Sequence, residues 1–339
     1  MLFRSIKGGR VTTSGAQTYG ENVFLDNVLR TTVLNTTDSA VSFAGTVKNY
    51  TSNAEALTIT AGTGDVMFTG SVGANTANGA MGTLGITNTG AVTFTSTVDA
   101  FSVYTATGST LRIKGGRVST AWSQWYGGDV LLDNAQQSTT INTTNAAVNF
   151  RGFVKNYAAT PQSLTINGGS GDVTFVGIVG VTGNALGDVV INSEGVTTLQ
   201  STVDATSLKT DVNGVSPGTL GGRVVIQGGR VSTSGEQHYA ELVKLDKTDI
   251  SLNATTVLNT NGSAVTFDAA IKNTTAQAQN LTINAGAGDV TFTGALGATG
   301  LSGPLGDVVV NSQGVTTFVR TVDAASLKTD VDTLNINVA

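Results

Sequence analysis

Cysteine is missing from the 339-residue chain, proline occurs three times and histidine once. The absence of cysteine excludes a disulfide framework and thiolate metal sites, and leaves the compartment open. Charge is scarce: acidic and basic residues make up 12% of the sequence, against roughly 25% in an ordinary globular domain. With a net charge of −5, the chain lacks the basic balance that nucleic-acid binding requires, and no nucleic-acid partner is expected. Eighteen aspartates outnumber five glutamates, a ratio suited to turns rather than helix surfaces. No run of 18 apolar residues is present, so no transmembrane helix is expected. No stretch of ten or more residues keeps a 3.6-residue period. The opening residues, MLFRSIKGGRV, lack the apolar core of a secretory signal.

What is abundant is glycine, 43 residues, together with threonine, asparagine, serine and valine. Threonine and valine suit pleated, half-buried surfaces, whereas glycine, asparagine, aspartate and serine suit turns. The composition therefore predicts an all-β protein with many short strands. Internal repeats organise it. GGRV occurs at Gly8–Val11, Gly115–Val118 and Gly228–Val231, in steps of 107 and 113. LTITAGTGDVMF from Leu57, LTINGGSGDVTF from Leu164 and LTINAGAGDVTF from Leu281 recur in steps of 107 and 117. Three repeats follow, approximately 1–107, 108–220 and 221–339. Because MLFRSIKGGRV matches TLRIKGGRV at Thr110–Val118, the chain is expected to start inside a repeat, as an excerpt from a longer protein.

A shorter period runs inside each repeat. A large apolar residue is followed four positions later by an aliphatic one. The pairs are Tyr19/Val23, Phe43/Val47, Phe68/Val72 and Phe94/Val98, then Tyr126/Val130, Phe150/Val154, Phe175/Val179 and Leu199/Val203, then Tyr239/Val243, Phe267/Ile271, Phe292/Leu296 and Phe318/Val322. Within repeats the step is 24 to 28 residues; it lengthens to 32 from Phe94 to Tyr126 and to 40 from Leu199 to Tyr239, where a coil with an insertion or an extra coil is expected. In VTF the valine and phenylalanine lie two apart and share one face of a strand. A step of about 24–25 residues with two or three short strands predicts one coil of a right-handed parallel β-helix. The whole chain, 1–339, reads as one continuous β-solenoid of roughly 12–15 such coils. Tyr19, Phe43, Phe68, Phe94, Tyr126, Phe150, Phe175, Leu199, Tyr239, Phe267, Phe292 and Phe318 are the expected inward core column. Asn142, Asn167 and Asn192 are expected to ladder at turns. Three β-sandwich domains, or a propeller with blades of 40 or more residues, fit the 25-residue step less well.

Several stretches invite a chemical reading. GGSGDVTFVGIVG, Gly168–Gly180, has the glycines of a phosphate loop, but no GK[ST] follows and the next residues read as a strand. It is one residue short of the nine-residue calcium roll. Its equivalents around Asp65 and Asp289 lie a full repeat away, so calcium at Asp65, Asp172 or Asp289 stays open while a structural corner is the favoured reading. Asp99, Asp204 and Asp323 recur once per repeat, as do Lys48, Lys155 and Lys272, and Arg10, Arg117 and Arg230. A recurring residue reads as structural, because an active site normally occurs once. His238 has no nucleophile at a recognised spacing and reads as a rim residue. The informative positions depart from the repeat: in TSGAQTY, TAWSQWY and TSGEQHY, Trp122 stands where Gly15 and Gly235 do, and Trp125 where Thr18 and His238 do. If the following tyrosine faces inward, Trp125 faces outward. Both tryptophans then form a candidate contact for a glycan or another cell-surface partner.

VTTSGAQTYGENVFLD, LTINAGAGDVTFTGALGA and GVTTFVRTVDAASLKTD resemble the repeat region of filamentous-haemagglutinin-type proteins, large secreted bacterial adhesins of the two-partner secretion kind. The resemblance spans nearly the whole chain and implies a right-handed β-helix, secretion, a surface role and no catalytic residues. The expected function is a non-catalytic structural or adhesive segment of an extracellular or cell-surface protein, with no cofactor. Its expected partner is itself, through lateral or end-to-end filament assembly, the latter by head-to-tail pairing of open strand edges with TLNINVA at the carboxyl end as a terminal strand. The alternatives are a polysaccharide lyase or hydrolase, a glycan-binding module and an ice-binding array of threonines.

Overall fold

The structure, a computed structural model, describes residues 3–74, 79–211, 222–247, 254–274, 277–297 and 303–330. Those residues form 36 strands and no helix, and parallel pairing from coil to coil makes the chain a β-solenoid of about 11 turns, fewer than the 12–15 coils expected from the step. The strands are short because each apolar pair is followed within a few residues by glycine, asparagine, aspartate or serine. Two compact units are present, Met1–Leu186 and Gly187–Ala339.

In the first unit three walls enclose the core. Wall A runs through Arg10–Thr13, Thr31–Thr36, Ala56–Gly62, Met81–Asn88, the later residues of Val98–Thr105, Gln124–Tyr126, Val148–Phe150 and Val173–Phe175, eight strands in parallel register. Wall B contains seven strands, Gln17–Tyr19, Val41–Phe43, Val66–Phe68, Ala91–Phe94, Thr110–Ile113, Asp129–Leu132 and Val154–Asn156. Wall C holds Phe3–Ile6, Asn22–Leu25 and Val47–Asn49, then single bridges at Val72 and Val98, then Arg117–Thr120, Ser138–Asn142 and Ser163–Gly169. Burial alternates along almost every strand, as in Val148–Phe150, where Asn149 faces out and its neighbours are buried.

The second unit repeats this arrangement. One wall carries Val196–Leu199, Arg223–Ile226, Leu242–Leu245 and Ile271–Asn273. Another carries the start of Val203–Thr210, then Arg230–Thr233, Thr255–Asn259, Asn280–Gly286, Leu305–Ser312 and Ala324–Thr329. The end of Val203–Thr210 opens the third, followed by Gln237–Tyr239, Val265–Phe267, Val290–Phe292 and Thr316–Phe318.

The sequence repeat and the three-walled coil are out of phase. Gln17–Tyr19 lies in wall B, but its equivalent Gln124–Tyr126 lies in wall A. From Arg10–Thr13 to Arg117–Thr120 the chain passes fourteen wall segments, counting the Val72 bridge and both halves of Val98–Thr105. Fourteen is not a multiple of three, so the second repeat begins two walls on. The aromatic run therefore changes wall at this seam: Phe94 is followed in register by Ile113, Leu132 and Asn156, and Tyr126 is preceded by Thr105 and Ile86. The long step from Phe94 to Tyr126 is that extra part-turn. The same local offset occurs in the second unit, where Leu199 is followed by Ile226, Leu245 and Asn273.

Inside each run the rings stack face to face. Tyr19–Phe43 and Phe43–Phe68 centroids are 4.9 and 4.8 Å apart, while Phe94 tilts by 54° against Phe68. Tyr126–Phe150–Phe175 are spaced at 5.0 and 4.8 Å. Tyr239, Phe267, Phe292 and Phe318 follow at 5.0, 5.2 and 5.0 Å. Leu199 is fully buried, as are the inner rings of each run, whereas Tyr19 and Phe318 are half-buried. The spacing is that of neighbouring strands, about 4.8 Å.

The tyrosines bring a hydroxyl into this core, and a buried glutamine two residues earlier answers it. Tyr126 Oη donates to Gln124 Oε1 at 2.5 Å, and Tyr239 Oη to Gln237 Oε1 at 3.0 Å. The amide groups of Gln17, Gln124 and Gln237 in turn donate to the carbonyls of Asn35, Asn142 and Asn259 in the next coil, each at 2.8 Å. Burial holds the Tyr126 and Tyr239 hydroxyls protonated, far above the ordinary phenol range. Side-chain amides also ladder: Asn167 donates to Asn142 at 2.8 Å, Asn284 to Asn259 and Asn311 to Asn284 at 2.7 Å.

Candidate functional site

The glycine-rich Gly168–Gly180 forms a corner. Gly169 has φ of 57°, and a Cβ there would meet Asn145 Oδ1 at 2.3 Å. One on Gly171 would meet the carbonyl oxygen of Ala146 at 2.1 Å. The glycines thus serve a left-handed turn and a close approach of successive coils. Asp65 and Asp289 use Oδ1 to accept from the backbone amides of Ala91 and Val315, at 2.8 and 2.7 Å. Among the described residues no group of three or more His, Cys, Asp or Glu converges as a metal site would require.

Two of the recurring aspartates are bound by the recurring arginines. Arg117 donates to both oxygens of Asp99, at 2.6 and 2.8 Å, and to Ser119 Oγ. Arg230 does the same to Asp204, at 2.8 and 2.7 Å, and to Ser232. The aspartate side chains are 8% and 9% exposed, and the bond from Asp204 holds the Arg230 guanidinium above its ordinary pKa. The first repeat differs, because Arg10 donates to Thr12 of its own strand. Lys155 pairs with Asp129 at 3.1 Å and lies over Phe153, and Lys48 lies over Phe24. His238 Nε2 meets Asp268 Oδ2 at 2.7 Å.

Trp122 is 57% exposed and Trp125 half-buried, both on the outside of the first unit. Trp122 is stacked on Phe101, with centroids 6.3 Å apart and planes at 4°. Trp125 lies in register beside Tyr104, and the Arg151 guanidinium sits 5.2 Å from its ring. Phe101 and Tyr104 are 47% and 43% exposed. The sequence reading found the two tryptophans and missed these two partners. Their signal was present: TVDAFSVYT departs from TVDATSLKT and TVDAASLKT only at residues 101, 103 and 104, and the structure turns 101 and 104 outward.

No family model, curated protein or solved structure matches this chain.

Proposed function

We propose that this chain is a non-catalytic structural segment of an extracellular bacterial surface protein of the filamentous-haemagglutinin kind, a stiff shaft that displays side chains from its coil corners. The observation that carries this reading is the use of charge. Asp99 and Asp204 are each bound bidentately by an arginine of a neighbouring coil, which ties coil to coil and engages groups that a hydrolase or lyase would need free. Single-molecule pulling on the chain tests the reading. A shaft lengthens in coil-sized steps, on the order of 80 Å for 24 residues at about 3.4 Å each. Smooth extension at low force, or release of sugar fragments from a polysaccharide panel, overturns it.

A second reading concerns the outermost coils. Tyr19 is half-buried whereas Tyr126 and Tyr239 are fully covered, and Val315, Val319 and Leu327 are 65%, 59% and 43% exposed. Such surface suits head-to-tail pairing with a second copy of the chain. TLNINVA, expected as a terminal strand, lies outside the described residues. Electron microscopy over a concentration series tests this: filaments longer than one chain support the pairing, and monomers throughout refute it.

A further inference from the structure

We infer that the seam between the first and second sequence repeats is a binding site for a neutral saccharide, with Tyr104, Trp125, Phe101 and Trp122 as its stacking surface and Gly85 as its floor. The outward column on wall A reads Thr58, Gly85, Tyr104, Trp125, Asn149 in register across successive coils. A Cβ on Gly85 would have only the Thr58 hydroxyl near it, at 3.8 Å. The column therefore has one empty place, bounded on one side by an aromatic ring. At the corner beside it, Phe101 and Trp122 present a second pair of half-exposed rings. Thr83 and Ser102, hydrogen-bonded to each other at 2.9 Å, supply hydroxyls between the coils.

Six positions of this patch depart from the other two repeats: four gain an aromatic ring, one exchanges a carboxylate for a hydroxyl and one loses its side chain. Thr83 replaces Asp188 and Asp307; Gly85 replaces Val190 and Val309; Phe101 replaces Thr206 and Ala325; Tyr104 replaces Lys209 and Lys328; Trp122 replaces Gly15 and Gly235; Trp125 replaces Thr18 and His238. The equivalent seam in the second unit shows what was removed. There Ser207 donates to Asp188 at 2.6 Å, Lys209 forms an ion pair with Glu236, and His238 meets Asp268 at 2.7 Å. The first seam has exchanged a charged lattice for rings, hydroxyls and an open ledge. Aromatic faces stack on the C–H faces of pyranose rings while hydroxyls and amides bind their edges. The centre of the patch offers rings and hydroxyls without a charged group, which fits an uncharged sugar; Arg151 stands against Trp125 at the border, and a heparin titration reads whether that cation turns the site toward anionic sugars.

The chain has two tryptophans, and both lie in the patch, so its tryptophan emission reports on this site alone. Titration of the whole chain with neutral hexaoses (gluco-, xylo-, manno-, galacto- and chito-oligosaccharides), and separately with heparin hexasaccharide and an apolar dye, tests the inference. At least one neutral hexaose is expected to give a saturable change. Gly85→Val, which installs the residue of the other repeats, is expected to weaken that binding by about tenfold or more with thermal unfolding unchanged. Tyr104→Lys, read by the same emission, is expected to do likewise. The inference is overturned if no neutral hexaose binds, if only heparin or the dye does, or if Gly85→Val binds as tightly as the parent.

Discussion

Glu241 offers a test of how burial acts on a charge in this core. It sits at the corner after Gln237–Tyr239, 4% exposed, with Oε2 lacking a hydrogen-bond partner. Burial, helped by the negative charge of Asp211, raises its carboxyl from an ordinary 4.5 to about 7. The folded state therefore holds a proton that the unfolded chain releases, over the interval from about 4.5 to 7. Stability is highest below that interval and falls as pH rises through it. At 1.36 kcal/mol per pH unit, the total fall is about 3 kcal/mol. Glu241→Gln keeps the shape and removes the titration. Chemical unfolding of parent and variant between pH 4 and 8 is the assay. The variant's advantage is expected to grow by about 3 kcal/mol from pH 4.5 to 7 and then to level off. A difference independent of pH, or one that widens toward acid, refutes the reasoning.

Three further outcomes follow from the packing. Thr139 is fully buried and its hydroxyl has no partner, so Thr139→Val should raise unfolding stability by about 1–3 kcal/mol in a denaturant series; equivalent changes at Thr32 and Thr256 should act alike. Phe150 is stacked between Tyr126 and Phe175, and Phe150→Ala should cost about 3–5 kcal/mol by the same measurement. Gly171→Ala would drive a methyl to 2.1 Å from a neighbouring carbonyl oxygen and should cost about 1–3 kcal/mol, whereas Gly85→Ala, with 3.8 Å of room, should fold as the parent does.

The fold was legible because a solenoid writes its period into the chain. Alternation in VTF sets the buried face, a step near 24 residues sets the coil, and glycine marks corners such as Gly171 where backbones meet. These are local properties, repeated often enough to be read without a structure. The inward glutamines were not legible: Gln124 is polar, and only the buried Tyr126 hydroxyl and the Asn142 carbonyl together show why it faces the core. Nor did spacing alone reveal the part-turn between repeats, since 14 wall segments against a three-walled coil is a count that exists only once strands have paired. That count decides the candidate site. It sets the end of one repeat beside the start of the next, bringing Tyr104 against Trp125 and Phe101 against Trp122. The sequence alone determined that the chain coils and which residues break its pattern. The tertiary structure decided which of those breaks meet, because neighbours in a solenoid are set by the register between coils and not by distance along the chain.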